Sequence, residues 1–332
     1  MPMTGAAPSA DVASTRKLDC CRICGGTLGG SLLVKEMMFG TRESFLYDQC
    51  ADCDCVQIDS FPADLSRHYP KGYYSYDLRR HSTLKRLRRG RRRRWILSAP
   101  RAVSRLMKAF SGSDYLFHMY RDLGLTLDSR LLDVGAGSGG HVLELREAGV
   151  ASAIGVDPFL DQNVEWEGRM LVHKKALEEM PGTFDFVTFH HSLEHMPAQK
   201  EALTEARRLL GPKGQVLVRI PTVSSEAFER YREHWVNLDA PRHFFLHSNR
   251  SLEITASKAG LKVSRLWCDS TAIQFMASEQ YRRDIPLTDP RSVTAGNTAL
   301  FSRTQRKEFA RRAAKLNRSL RGDTICALLC AA

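Results

Sequence analysis

The stretch from residue 131 to 140 constrains the fold of this chain more than any other. Leu131-Leu132-Asp133-Val134 is typical of a short buried parallel strand, and glycines alternate directly after it. Apolar residues at helical spacing follow, and Gly149 ends them, which predicts a helix. A strand, a glycine turn and a helix form the first unit of an open α/β sheet, whose ligands bind beyond the carboxyl ends of the strands. Glycine alternation also occurs in purely structural turns, so the ligand is not fixed by this stretch alone.

Two later strands carry polar residues at their ends. The strand at residues 153–156 ends at Asp157, where a carboxylate can hold a ribose diol. The strand at residues 184–189 is followed by His190-His-Ser-Leu-Glu-His195. Because ligands of such sheets bind at the carboxyl ends of the strands, these polar residues are candidates for the same site as the glycine turn.

With these residues the sequence resembles the class I S-adenosylmethionine-dependent methyltransferases. The run from Asp133 to Gly139 matches the first motif of that family, and Asp157 matches its second acidic position. A nicotinamide-binding Rossmann domain is the main alternative. The resemblance implies a Rossmann-like, seven-stranded, doubly wound α/β sheet with S-adenosylmethionine as the methyl donor. The residues expected at the donor are Asp133, Gly135, Ala136, Gly137, Gly139, Asp157, Pro158, Ala176, Leu177 and His190.

Paired cysteines dominate the N-terminal part of the chain, where six of the nine lie within residues 20–55. Two Cys-x-x-Cys knuckles are formed by Cys21, Cys24, Cys50 and Cys53. Four thiolates can close one tetrahedral Zn²⁺ site, and a segment as short as residues 18–62 needs such a metal because it cannot build a core unaided. Free thiols and a redox pair are the alternatives, and either Cys20 or Cys55 could replace one of the four ligands.

The net charge of +12 comes from a single segment. Residues 79–108 contain 13 Lys and Arg and no Asp or Glu, so the rest of the chain is close to neutral. Leucines and Trp95 interrupt the basic residues, which predicts a partly helical, amphipathic segment. Three interpretations are open: a solvated helix face, a peripheral contact with an anionic membrane surface or lipid-linked acceptor, and RNA binding, which is the least favoured.

Composition also predicts where the protein works and how it is organised. No apolar run approaches the length of a membrane span, and residues 1–17 lack the apolar core of a signal peptide. We therefore expect a cytoplasmic protein that can associate peripherally with a membrane. The expected parts are a disordered leader (1–17), a zinc-binding module (18–62), a Tyr-rich and Arg-rich helical connector (63–128) and a methyltransferase domain (129–332) with a helical insertion at about 282–321.

The His-rich run after the third strand is the best candidate for acid–base chemistry. Methyl transfer from a sulfonium is an in-line displacement, and most acceptors must also lose a proton. We predict His195 as the base, because the adjacent Glu194 can orient the imidazole and raise its basicity, with His191 as a further catalytic candidate. The alternative for His195 is a packing role at the start of a helix.

A narrower resemblance concerns the acceptor. A Cys-x-x-Cys module, then a Tyr-rich segment, then a core with Leu193-Glu194-His195 looks like bacterial sugar methyltransferases, over about residues 18–265. That resemblance implies an acceptor site at the Glu-His pair and the nearby tyrosines. The residues expected to contact the acceptor are Tyr73, Tyr74, Tyr76 and, from a second polar cluster, His243.

The sequence therefore predicts methyl transfer to a small-molecule or glycan acceptor, which includes nucleotide sugars and lipid-linked or polymer sugars. One alternative is an RNA methyltransferase that holds RNA with the zinc module and the basic segment. The strand end lacks the Asn/Asp-Pro-Pro-aromatic motif of adenine N-methylation, which weakens this alternative. The other alternative is a non-catalytic, zinc-stabilised binding protein.

Overall fold

The computed structural model describes residues 18–70, 83–100, 102–103, 114–297 and 299–332. Tyr73, Tyr74 and Tyr76 lie outside these residues. The described residues fall into two compact units. Of the described residues, the first unit contains those within 18–70, Leu193–Leu203 and Val218–Ala332, and the second those within 83–192 and Thr204–Leu217.

The strands and helices of the described residues have the following bounds. The strands are β1 (Leu28–Lys35), β2 (Ser44–Cys50), β3 (Val56–Ile58), β4 (Leu131–Val134), β5 (Ala153–Val156), β6 (Val164–Trp166), β7 (Arg169–His173), β8 (Phe184–His190), β9 (Leu210–Pro221), β10 (Phe245–Leu246), β11 (Leu261–Cys268) and β12 (Thr324–Ala331). The helices are α1 (Thr83–Ser98), α2 (Tyr115–Leu123), α3 (Gly140–Glu147), α4 (Gln199–Arg208), α5 (Glu226–Tyr231), α6 (Asn249–Lys258), α7 (Ile273–Arg282) and α8 (Arg303–Arg318).

The second unit is built on a mostly parallel sheet with strand order β9-β8-β4-β5-β7-β6. Strand β4 pairs in parallel with β5 on one side and β8 on the other, and all of its residues are buried. Burial on both faces explains why β4 is an almost continuous apolar run. The carboxyl ends of β4, β5 and β8 lead into the glycine turn, Asp157 and the His-rich run, as the sequence predicts.

A hairpin adds one strand to the seven that were expected. Strands β6 and β7 pair antiparallel, with Trp166 opposite Arg169. The two residues between them, Glu167 and Gly168, have φ angles of 51° and 71°. Positive φ at both central positions is typical of the tight turns that join two neighbouring strands. In the first unit, β11 pairs antiparallel with β12, with Leu261 opposite Ala331.

The first unit contains the cysteine module and the last third of the chain. Strands β1, β2, β3 and β10 form one sheet, in which β3 pairs antiparallel with β10. A large apolar cluster among the described residues of the unit includes Tyr47, Trp235 and Phe275. Shared strands and a shared core supply the burial that residues 18–62 cannot provide alone.

Helix α1 carries most of the described part of the basic segment and packs on α2 and α3 within the second unit. Gly90 lies at this contact, where an added Cβ would meet the backbone oxygen of Glu147 at 2.5 Å. The close approach of the two backbones therefore requires glycine at this position. No helix among the described residues has the length and apolar character needed to cross a membrane.

Candidate active site

The glycine turn after β4 is held by its own backbone and by β5. The Gly135 N–H donates to Val156 O at 2.8 Å, and the Gly139 N–H donates to Ala136 O at 2.9 Å. Gly135, Gly137 and Gly139 have φ angles of 71°, 52° and 82°. A Cβ on Gly139 would lie 2.6 Å from the Val172 side chain. The turn thus requires glycine because of its positive φ angles and because Gly139 has no room for a Cβ. Gly139, the last residue of the turn, is the N-cap of α3.

Asp157 and Asp133 are both buried beside this turn. The Asp157 carboxylate accepts from the Gly137 N–H and the Phe159 N–H, both at 2.9 Å. It therefore fixes the turn while each oxygen keeps a further lone pair. Asp133 accepts from the Thr188 hydroxyl at 2.8 Å, and its burial raises the pKa of the carboxyl to about 7. Desolvation disfavours the charged carboxylate, so Asp133 holds a proton near neutral pH more readily than an ordinary Asp.

The remaining residues predicted for the donor follow β5 and β7. Pro158 is exposed directly after Asp157, and its neighbour Phe159 is 80% exposed. Ala176 is half-buried and precedes a 3-10 helix at Leu177–Glu179, in which Leu177 is buried. These side chains have the apolar character that an adenine ring requires, and their role at the donor stays a prediction.

His190 belongs to a cluster that the sequence analysis missed. The Tyr120 hydroxyl lies 2.7 Å from His141 Nε2 and 2.6 Å from His190 Nε2. Because a tyrosine carries a single hydroxyl proton, it donates to one nitrogen and accepts from the N–H of the other. Tyr120 lies on α2, His141 on α3 directly after the glycine turn, and His190 at the end of β8. No spacing in the sequence connects these three elements, which is why the cluster was missed.

His195 belongs to the first unit and is oriented by the backbone. It lies in a 3-10 helix at Leu193–His195, and its Nδ1 is 2.9 Å from Arg242 O and 3.3 Å from the Tyr69 hydroxyl. A carbonyl accepts only from an N–H, so the proton of the neutral ring is assigned to Nδ1 and the lone pair to Nε2. Burial lowers the pKa of His195 from its ordinary value of 6.5, and the neighbouring His243 lowers it further.

Acidic groups surround the second histidine of this cluster. His243 Nε2 lies 4.0 Å from Glu194 Oε1 and 3.8 Å from Asp239 Oδ2, and His243 Nδ1 lies 2.7 Å from Asn237 O. The rings of His195 and His243 have centroids 4.7 Å apart. Ligand atoms of Glu194, His195 and His243 lie within 4.8 Å of one another. The structure therefore brings together three of the predicted catalytic and substrate residues.

A buried ion pair connects the N-terminal module to the loop that carries His243. Arg242 donates to Glu36 Oε1 at 2.8 Å and to Asp239 Oδ1 at 2.6 Å, and the side chains of Arg242 and Glu36 are fully buried. Burial alone would lower the pKa of Arg242, but the two carboxylates raise it. The Tyr47 hydroxyl also donates to His243 O at 2.8 Å. Neither Glu36 nor Tyr47 belongs to a recognisable motif, so sequence analysis had no signal for them.

The structure gives less information on the other predicted site residues. His191 is exposed, has a φ of 51° and belongs to the second unit, and its catalytic role remains untested. Tyr73, Tyr74 and Tyr76 fall outside the described residues, so their predicted contact with the acceptor also remains untested. Tyr69, which lies at the start of the same Tyr-rich segment, contacts His195 instead.

The four cysteines of the two knuckles converge on one point, and their sulfurs lie within 4.8 Å of one another. Sγ of Cys21 is 3.7 Å from Sγ of Cys53, and Sγ of Cys24 is 3.5 Å from Sγ of Cys50. Both distances exceed the roughly 2.05 Å of a disulfide and approach the roughly 3.8 Å between thiolates on a tetrahedral zinc ion. Backbone N–H groups of Gly26 and Asp52 donate to the sulfurs of Cys24 and Cys50, both at 3.3 Å.

Cys20 and Cys55 are not part of this group of four in the described structure. Cys20 is exposed, and Cys55 is buried with its thiol directed at Val56 O. Burial raises the pKa of the Cys55 thiol well above its usual range, which disfavours the thiolate that a metal needs. The geometry thus selects the four knuckle cysteines.

Comparison with known proteins gives one family match. The model of a family described as "Methyltransferase domain" matches residues 87–266, which is more than half of the chain. The matched range contains the glycine turn, Asp157, the Glu194–His195 pair and His243.

Curated relatives match shorter parts of the chain. A ubiquinone biosynthesis O-methyltransferase of Pseudomonas aeruginosa is 34% identical over 100 residues, which is 27% of this chain and 43% of that protein. A tRNA U34 carboxymethyltransferase of Idiomarina loihiensis is 28% identical over 178 residues, which is 47% of this chain and 51% of that protein. The chain thus spans about half the length of these relatives or less. A solved SAM-dependent methyltransferase of Archaeoglobus fulgidus is 20% identical with a TM-score of 0.41, covering 68% of this chain and 98% of that one.

Proposed function

This chain belongs to the family described as "Methyltransferase domain", and on that premise we propose that it transfers a methyl group from S-adenosylmethionine to a small-molecule or glycan acceptor, with His195 as the base. The observation that carries this proposal is the bond of His195 Nδ1 to Arg242 O at 2.9 Å. It assigns the lone pair to Nε2, and the lowered pKa of the ring keeps that atom unprotonated near neutral pH.

The second unit supplies the donor site in this proposal. When bound, S-adenosylmethionine provides an electrophilic methyl group on a sulfonium. The turn at Gly135, Gly137 and Gly139 would admit the donor close to the backbone, and the remaining lone pairs of Asp157 would accept from its ribose hydroxyls. The Tyr120 hydroxyl fixes the rings of His141 and His190 beside that turn.

The first unit supplies the acceptor site. His195 Nε2 takes the proton that the acceptor loses, and the charges of Glu194 and Asp239 favour the protonated form of His195. Carboxylates and imidazoles at this density suit an acceptor with several hydroxyls, because each such hydroxyl can donate to one of them. The relative named for ubiquinone biosynthesis supports a small-molecule acceptor, and the relative named for tRNA is the reason that RNA is included in the tests below.

We also propose that the knuckle cysteines hold a structural Zn²⁺. Four sulfurs leave no position open for a substrate, so the ion stabilises rather than reacts. The Ser248 hydroxyl donates to Cys53 O at 2.5 Å, and Lys258 Nζ donates to Ile23 O at 2.5 Å. These bonds tie the cysteine centre to the chain that follows His243, so the ion supports the acceptor site.

The donor site is tested by two alanine substitutions with similar backbone strain. Gly139 and Gly168 both have positive φ, but a Cβ would clash with Val172 only at Gly139 and would meet nothing within 4 Å at Gly168. Calorimetric titration with S-adenosylmethionine should show that Gly139→Ala weakens donor binding at least ~10-fold, which corresponds to about 1.4 kcal/mol. Gly168→Ala should bind the donor as the wild type does. Equal affinities for the two variants would contradict the placement of the donor at the glycine turn.

A further inference from the structure

Helix α1 presents two opposite faces, and both carry apolar residues. Its inner face packs against the rest of the second unit through Gly90, Arg93 and Leu97, which recur at helical spacing and are buried. Its outer face carries Leu84, Leu87 and Trp95, which are 70%, 55% and 47% exposed. At about 100° per residue, Leu84 and Trp95 lie on the side of the helix away from the packed face, and Leu87 lies at the edge of that side. Packing among the described residues of the unit therefore does not account for them.

The arginines of α1 divide between the same two faces. Arg93 is buried and pairs with Asp114 at 2.9 Å and with Glu144 at 3.1 Å, and Arg86 pairs with Glu147. These charges serve the fold of the second unit. The exposed basic residues beside the apolar stripe of Leu84, Leu87 and Trp95 are Lys85, Arg88 and Arg91. Arg94 is also exposed, but its guanidinium lies against Gly149 of the same unit. Arg92 also pairs with Asp114, at 3.1 Å.

We propose that this outer face of α1 binds the surface of an anionic lipid bilayer. The basic flanks match the negative charge of the head groups, and the leucines and Trp95 enter the boundary between head groups and acyl chains. Tryptophan is enriched at that boundary, because its ring is apolar and its N–H can remain hydrated. The helix carries no acidic residue that would oppose the contact.

RNA would use this face differently. Phosphate groups need only the cations, and three exposed apolar side chains in the centre of a basic face would remain in water. A bilayer satisfies both sets of residues at once. The apolar stripe is therefore the feature that favours lipid, and the experiment removes the stripe without changing the charge.

The test measures sedimentation of the full-length protein with vesicles of 70% phosphatidylcholine and 30% phosphatidylserine, and with vesicles of phosphatidylcholine alone. The wild type should bind the anionic vesicles at least ~10-fold more tightly than the neutral ones. The triple variant Leu84→Ser, Leu87→Ser, Trp95→Ser should lose at least ~10-fold of that affinity at unchanged net charge. Because these side chains are exposed, its melting temperature should stay close to that of the wild type.

A matched control removes charge from another basic helix. Arg303, Lys307 and Arg311 are exposed on α8, and α8 has no strongly exposed large apolar side chain among the described residues. Replacing these three by Gln should leave vesicle binding nearly unchanged, whereas Lys85→Gln, Arg88→Gln, Arg91→Gln should weaken it. The proposal is overturned if the wild type does not prefer anionic vesicles, or if the triple variant without Leu84, Leu87 and Trp95 binds them as tightly as the wild type. It is also overturned if single-stranded RNA displaces the wild type from the vesicles and binds the triple variant with unchanged affinity. Vesicle binding requires no turnover, so its outcome is independent of the proposed acceptor.

Discussion

Replacing His195 by Gln is expected to lower kcat by a factor of about 10² to 10⁴, which is the usual contribution of a general base. Glutamine keeps an N–H that can reach Arg242 O but has no lone pair that accepts a proton near neutral pH. Donor affinity should change less than ~3-fold, because all residues assigned to the donor belong to the second unit. Single-turnover kinetics and calorimetry would measure the two quantities separately.

The same assay across pH adds a readout that a packing role for His195 would not produce. Burial lowers the pKa of His195 below its ordinary value of 6.5. The imidazole is unprotonated above its pKa, so kcat/KM should be constant at neutral pH and should fall as the pH drops through a value below 6.5. A matched control is His234→Gln, since the His234 side chain is 45% exposed and lies 3.9 Å from the exposed Glu233. A fully active His195→Gln enzyme with an unchanged pH profile would exclude His195 as the base.

The second large effect is expected for Cys21→Ser, which removes one of four converging sulfurs. We expect this variant to lose its zinc and to be destabilised by more than about 4 kcal/mol, because binding of a structural metal is coupled to folding. Turnover should be lost while donor binding persists, since the cysteine centre is tied to the chain beyond His243 in the first unit. Metal analysis by mass spectrometry and thermal melting would measure the two losses.

Cys20→Ser provides a control one residue away. Cys20 is exposed and is not among the converging cysteines, so its variant should keep one zinc per chain and the melting temperature of the wild type. If Cys21→Ser does not fold, mild chelation of the wild-type protein tests the same loss of zinc. His195→Gln should also keep one zinc per chain, and a loss of metal in that variant would make the group of Glu194, His195 and His243 a metal site instead. Equal zinc in the Cys20 and Cys21 variants would refute the assignment of ligands.

The sequence was most informative where one local pattern determines both fold and chemistry. The apolar run of β4 and the glycine turn predicted a buried parallel strand followed by a helix, and the structure confirms both. The hairpin of β6 and β7 was missed because it rests on two turn residues, Glu167 and Gly168, between short strands. Strand β10 was missed because two residues become a strand only by pairing with β3, which lies far away in the sequence.

The same distinction, between local patterns and contacts that depend on tertiary packing, applies to the candidate site. The spacing of the cysteines was enough to predict that Cys21, Cys24, Cys50 and Cys53 converge, because two knuckles of fixed geometry can meet at a single point. The partners of His195 could not be predicted from the sequence, since Arg242 and Tyr69 are 47 and 126 residues away from it along the chain. Buried pairs such as Glu36 and Arg242 depend on tertiary packing, and neither residue carries a local signal.

The most direct test of the proposed function follows the methyl group. Protein and labelled S-adenosylmethionine would be incubated with separate cell fractions that contain nucleotide sugars, lipid-linked glycans, small lipophilic molecules or RNA. We predict that label enters a sugar or another small-molecule fraction with the wild-type protein and falls at least ~100-fold with His195→Gln. Label that accumulates in RNA, or that reaches the same level with His195→Gln, would contradict the proposal.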